Sequence, residues 1–104
     1  MPSFVKVTTL SELPEQGMRA FEYAGQRIAL FRAGATLYAT TDVCSHEHAY
    51  LTEGFFDPDD ATVECPLHGA RFDLASGQPL ALPAYEPIAI YPVQVAGDDV
   101  LVEL

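Results

Sequence analysis

Two short stretches hold the residues best able to do chemistry. Cys44-Ser45-His46 sits within Asp42-Val43-Cys44-Ser45-His46-Glu47-His48, and Cys65-Pro66-Leu67-His68-Gly69 follows after a gap of eighteen residues between His46 and Cys65. Each stretch pairs one thiolate with one imidazole at close spacing, in a loop-like segment that follows a strand-like one. Brought side by side, two such loops offer four ligands at a common point. Soft thiolate and borderline imidazole suit zinc or iron–sulfur chemistry, whereas calcium and magnesium take oxygen. A buried cysteine alone behaves as a small hydrophobe and a lone histidine is ordinary, so either motif by itself would read as structural. The two motifs together use both cysteines of the chain, and that combination reads as a metal site.

Structural zinc sites with two Cys and two His usually pair Cys with Cys and His with His. Here each loop gives one of each, which is what a two-iron cluster needs if each loop supplies one ligand to each iron. The paired Cys-x-His and Cys-x-x-His motifs resemble those of the Rieske ferredoxin family. The likeness extends through Cys65-Pro66-Leu67-His68-Gly69-Ala70-Arg71-Phe72-Asp73 to Gly77 and Leu82-Pro83-Ala84. The chain also fits the length of the small stand-alone members. Its eighteen-residue gap is slightly longer than is usual there, and Phe56-Asp57-Pro58-Asp59-Asp60-Ala61 reads as the place of the extra turn.

The resemblance implies one 2Fe-2S cluster per chain, with Cys44 and Cys65 on the inner iron and His46 and His68 on the outer one. The histidines would then face the tip where partners dock. It further implies a one-electron carrier, the ferredoxin component of a multicomponent aromatic ring-hydroxylating dioxygenase. Electrons would come from an NADH-dependent flavin reductase and leave to a terminal oxygenase. The hydroxylated residues that raise the potential of respiratory members correspond by position to Ala70 and Phe72, which lack the hydroxyls, and the extra cysteine pair of those members is absent. Fewer hydrogen bonds to the cluster leave the added electron less stabilised, so the expected potential is near the lower end of the Rieske range, roughly −150 mV. A mononuclear iron site would need two further histidines, and only His48 remains, which reads as an exposed loop residue. The chain is therefore read as a carrier and not as an enzyme. Two alternatives stand beside this: a small Rieske-like subunit of an assimilatory nitrite reductase, and a zinc-stabilised protein-interaction module.

Composition agrees with a globular carrier. Of 104 residues, 49% are apolar and 19% charged, which suits one folded domain over residues 1–104. Fifteen acidic residues against five basic ones give a net charge of −10. Phosphate backbones would repel such a chain, so nucleic acid is excluded as a partner. Glu47, Glu53, Asp57, Asp59, Asp60 and Glu64 crowd the middle of the sequence and suit recognition of basic protein surfaces. No stretch approaches the ~20 apolar residues that cross a bilayer, and no signal-peptide pattern is visible. The reading is a cytoplasmic protein, expected to be a monomer.

The elements that must position the loops are strands. Phe4 to Thr8, Met18 to Tyr23, Gln26 to Phe31, Thr36 to Thr41, Ile88 to Val95 and Val100 to Glu103 carry strand patterns. Ala24-Gly25 reads as a hairpin turn, and Ser11 to Gly17 as a turn in which Gly17 is free to take positive φ. Pro92 cannot donate to a ladder, which puts its strand at an edge or a bulge. No helical periodicity runs over three turns. The expected fold is all-β, an antiparallel two-sheet scaffold built from both ends of the chain, with a ligand-bearing subdomain inserted over about 42–83.

Overall fold

The structure is a computed structural model that describes residues 3–44, 49–66, 69–81 and 86–104. Strands β1 (Phe4–Thr9), β2 (Gln16–Tyr23), β3 (Gln26–Ala33) and β4 (Thr36–Thr41) come first. The middle of the chain gives β5 (Phe55–Asp57), β6 (Thr62–Glu64), β7 (Arg71–Asp73) and β8 (Pro79–Ala81). The last strands are β9 (Ile90–Tyr91), β10 (Val93–Ala96) and β11 (Asp99–Glu103). Two 3-10 turns, Leu10–Glu12 and Leu51–Glu53, are the helical elements among the described residues. All strand pairs are antiparallel.

Two sheets form the scaffold, in the orders β1-β11-β10 and β2-β3-β4-β9, and a third, β5-β6-β7-β8, forms the insert. The expected meander is present: β2 pairs with β3 from Tyr23↔Gln26 to Gln16↔Ala33, and β3 pairs with β4. Ala24 and Gly25 both take positive φ, 51° and 82°, as a two-residue turn between right-twisted strands requires. Gly17 departs from expectation, because it lies inside β2 and takes no left-handed backbone there. Arg32 closes the preceding turn instead, donating from Nη1 to the carbonyls of Leu10 (3.0 Å) and Leu13 (3.3 Å).

The run expected as one strand from Ile88 to Val95 is two. Tyr91 pairs with Ala39 in one sheet and Val93 with Val102 in the other, so the chain changes sheets at Pro92. Both β9 and β10 are edge strands, as a residue without an N–H demands. At the far end, β1 lies along β11, and Ser3 and Leu104 exchange backbone hydrogen bonds, each 3.1 Å.

β3 divides the interior. Its run Ile28-Ala29-Leu30-Phe31 is fully buried, and alternate residues point to opposite faces. Ile28 and Leu30 join Leu13, Ala39, Val100 and Val102 in one apolar cluster. Ala29 and Phe31 join a second cluster on the other face, which contains Cys44, Leu51, Val63, Cys65, Phe72 and Ile88. Phe31 also meets Phe56 of β5, ring centroids 5.3 Å apart at 54°, a tilted aromatic contact across the two units. One strand thus serves as the wall of two cores, and the second core is where both cysteines lie.

Candidate metal centre

The two motif loops are built alike. In the first, Val43 and Tyr50 form an isolated antiparallel bridge, and the Cys44 N–H donates to the Ala49 carbonyl at 2.9 Å. In the second, Glu64 pairs with Arg71, and the Cys65 N–H donates to the Ala70 carbonyl at 2.7 Å. Each loop therefore begins at a cysteine and closes five residues later on an alanine carbonyl. Gly69, with φ of 71°, supplies the left-handed residue that returns the second loop to Ala70. Ser45, His46, Glu47 and His48 of the first loop lie outside the described residues, as do Leu67 and His68 of the second and Leu82 to Tyr85 downstream.

Both cysteines are buried, Cys44 at 4% exposure and Cys65 at 1%, and no disulfide joins them. They share one apolar cluster with Ala49, Ala70 and Phe72. This donor set fits a cluster of iron and sulfide: two thiols at equivalent corners of twin loops, shielded from water, each with one sequence-near imidazole. Ala70 and Phe72 are both fully buried in this cluster, so their side chains add no hydroxyl there.

The neck of the first loop rests on a residue that motif reading passes over. Asp42 is fully buried, and its carboxylate accepts hydrogen bonds from Arg27 Nε, from the Thr52 N–H (2.8 Å) and from Thr52 Oγ1 (2.9 Å). Its backbone is held as well: Asp42 N–H donates to the Arg27 carbonyl (3.0 Å), and the Asp42 carbonyl accepts from Leu51 N–H (2.7 Å). The Arg27 guanidinium lies 3.8 Å from the centre of the Tyr50 ring, a cation–π contact. Hydrogen bonding to Asp42 raises the pKa of Arg27 above its already high ordinary value, so the guanidinium stays charged at any working pH. The one sequence signal for this group was a basic residue entering the apolar run of β3.

The second loop is held by close approach. At Gly54 a Cβ would stand 1.9 Å from the Glu64 carbonyl oxygen and 3.1 Å from Pro66 Cδ. The backbone leaving the Leu51–Glu53 turn thus passes directly against the strand that delivers Cys65. Asp57 fastens the β5–β6 turn by accepting from the N–H groups of Asp59 (3.0 Å) and Asp60 (3.3 Å), with Ala61 at φ 55°. This turn occupies the segment expected to hold the extra residues of the gap. Among the acidic residues grouped there, Asp57, Asp59, Asp60 and Glu64 belong to the β5–β6 hairpin, and Glu53 to the 3-10 turn before it.

All five basic residues have assigned partners. Lys6 pairs with Asp99, Arg19 with Glu12 and Arg27 with Asp42, Arg32 binds main-chain carbonyls, and Arg71 reaches Thr62 Oγ1 at 3.4 Å. With Lys6, Arg19 and Arg27 paired to carboxylates and a net charge of −10, the field presented to other proteins is negative. Among the described residues, no helix is long and apolar enough to cross a membrane.

Known proteins resemble the chain in the same terms. The Rieske 2Fe-2S domain family matches residues 3–92. The ferredoxin subunit of 3-phenylpropionate/cinnamic acid dioxygenase from Escherichia coli (strain K12) is 52% identical over 77 residues, covering 74% of this chain and 72% of its own length. The ferredoxin of carbazole 1,9a-dioxygenase from Nocardioides aromaticivorans IC177 superposes with a TM-score of 0.91 at 40% identity, covering 96% of each chain. In a complex of reduced oxygenase and oxidised ferredoxin of carbazole 1,9a-dioxygenase, the matching chain scores 0.88 at 34% identity, covering 96% of this chain and 92% of that one. A protein assigned as the small subunit of an NADPH nitrite reductase scores 0.82 at 27%, covering 96% and 97%. The match to an iron–sulfur family sets aside the zinc-stabilised module. The chain belongs to the Rieske 2Fe-2S domain family, as an electron-carrying ferredoxin with one 2Fe-2S cluster.

Proposed function

We propose that Cys44, His46, Cys65 and His68 hold the cluster, the two thiolates on one iron and the two imidazoles on the other. We further read the chain as passing single electrons from an NADH-dependent flavin reductase to a terminal aromatic ring-hydroxylating oxygenase, as one cytoplasmic domain over residues 1–104. The observation that carries this reading is the pair of twin loops, each opening at a buried cysteine and closing on an alanine carbonyl. When bound, the cluster supplies a reversible one-electron store at a potential set by its ligands and surroundings. The chain's own residues do the rest. Ala70, Phe72, Leu51 and Val63 line the thiol side and exclude water. The β6–β7 ladder and the Asp42 hydrogen bonds fix the necks of the loops, so that little rearrangement accompanies reduction.

The names of the relatives support the oxygenase partner, since one matched chain is a ferredoxin complexed with its oxygenase. The nitrite reductase reading shares the fold at lower identity, and the 52% relative favours the dioxygenase reading over it. The absence of hydroxyls at the buried Ala70 and Phe72 supports a low potential, near about −150 mV.

An electron paramagnetic resonance spectrum of the dithionite-reduced protein tests the ligand set. A rhombic signal with an average g below that of all-cysteine clusters is expected. His46→Cys and His68→Cys should each move that average toward the all-cysteine value, and variants that leave the spectrum unchanged would refute the assignment. A clearly positive midpoint in a redox titration would refute the low-potential reading.

A further inference from the structure

The two loops are equivalent in length and closure but differ in what holds them open at the base. The second rises from a three-pair ladder, Thr62↔Asp73, Val63↔Phe72 and Glu64↔Arg71. The first rises from the single bridge Val43↔Tyr50. Below that bridge, where the second loop has Val63 against Phe72, the first has Asp42 opposite Leu51, whose N–H donates to the Asp42 carbonyl, and the Asp42 carboxylate is fully buried and paired with the partly exposed Arg27 of β3. Asp42, with 0% side-chain exposure, meets Arg27 and takes both the N–H and the hydroxyl of Thr52. A buried carboxylate so placed costs desolvation energy that an apolar side chain would avoid, and an apolar side chain, Val63, is what the second loop has there. Stability alone therefore does not account for the choice.

Asp42 lies two residues from Cys44, a span of at most ~7 Å along the chain. Reduction adds one negative charge beyond that cysteine. A carboxylate nearby opposes the added charge, a guanidinium favours it, and together they nearly cancel. We infer that Asp42 and Arg27 are positioning residues for the Cys44 loop and act on the cluster's potential in opposite senses, their pairing setting the balance. Tyr50 takes part by stacking on the guanidinium, which keeps Arg27 over the loop neck even though its side chain is 31% exposed. The inference rests on the cluster reading given above.

The test uses the full-length, cluster-loaded chain at fixed pH and ionic strength, with Asp42→Asn, Arg27→Gln and the double variant compared by redox titration and by the spectrum of the reduced state. A unit charge roughly 10 Å away at an effective dielectric near 20 corresponds to about a tenfold change in the ratio of reduced to oxidised protein at a given potential. That ratio equals about 59 mV for one electron. Asp42→Asn should raise the potential by about this much, Arg27→Gln should lower it, and the double variant should return near the parent. A purely structural role would move both single variants the same way. Shifts of one sign, or no shift in loaded variants, would overturn the inference. Should a charge variant fail to load, Thr52→Val carries the test, because it removes a donor from the carboxylate while keeping the side-chain shape. A lower potential is expected there, and an unchanged or raised one overturns the inference. A parent protein lacking the mixed-ligand signal would refute the ligand reading itself.

Discussion

Gly54→Ala should disable cluster binding although residue 54 is nowhere near a ligand in the motif sense. The added methyl carbon would fall 1.9 Å from the Glu64 carbonyl oxygen, well over an ångström inside normal contact. The obstacle is main chain in β6, paired on one side through Phe55↔Glu64 and on the other through Glu64↔Arg71. It cannot rotate away as a side chain would. Either β6 moves and carries Cys65 with it, or the turn Leu51–Glu53 moves and carries Thr52 off Asp42. Inserting one carbon into a packed site usually costs ~1–3 kcal/mol, and a backbone obstacle places this case at about 3 kcal/mol or above. For a domain near 100 residues each kcal/mol is worth roughly 4–8 °C, so the loss in melting temperature should exceed about 12 °C. The assay is iron and sulfide per chain after reconstitution, with visible absorption and thermal unfolding beside it. Gly17→Ala is the comparison, because its clash at 2.6 Å is with the Pro14 side chain, far from the loops; it should load normally. A Gly54→Ala protein with full cluster content and an unchanged melting temperature would refute the reasoning.

Ala24→Asn should stabilise the protein by about 0.5–1 kcal/mol, since asparagine tolerates the left-handed backbone that Ala24 occupies before Gly25; thermal unfolding checks it. Phe72→Ala should cost about 3–5 kcal/mol and abolish cluster retention, because Phe72 is fully buried in the cysteine-bearing core. Val100→Ala, equally buried in the other core, should cost roughly 2 kcal/mol while leaving iron content and the reduced-state spectrum unchanged. The rate of electron transfer to a basic acceptor such as cytochrome c should fall several-fold between about 0.05 M and 0.5 M salt, measured by stopped flow. A salt-independent rate would remove the acidic surface from the recognition argument.

Local patterns were readable because their causes are local. The Ala24-Gly25 turn, the three-strand meander and the edge placement around Pro92 each follow from a residue's own backbone chemistry. What stayed hidden depends on contacts across sequence distance. Arg27 reaches Asp42 over fifteen residues and Thr52 reaches it over ten, and no spacing rule announces such a pair. The approach of Gly54 to Glu64 is equally silent, because a glycine after a short turn looks like any other. Pro92 marked a departure from a regular strand, but that the chain changes sheets there depends on β4 and β11 each offering a free edge.

The meeting of residues 3 and 104 gives the fold a further property. The first and last strands lie side by side and end within hydrogen-bonding distance, in the sheet that packs on the core without the cysteines. A host chain could leave at one end and resume at the other with almost no gap to bridge, so insertion of the whole unit into a surface loop carries little closure cost. Tags, fusion partners and circular permutants joined at this seam stand on the far side of β3 from both thiols. The unit is in effect a cassette, with its attachment point and its two buried thiols on opposite sides of β3.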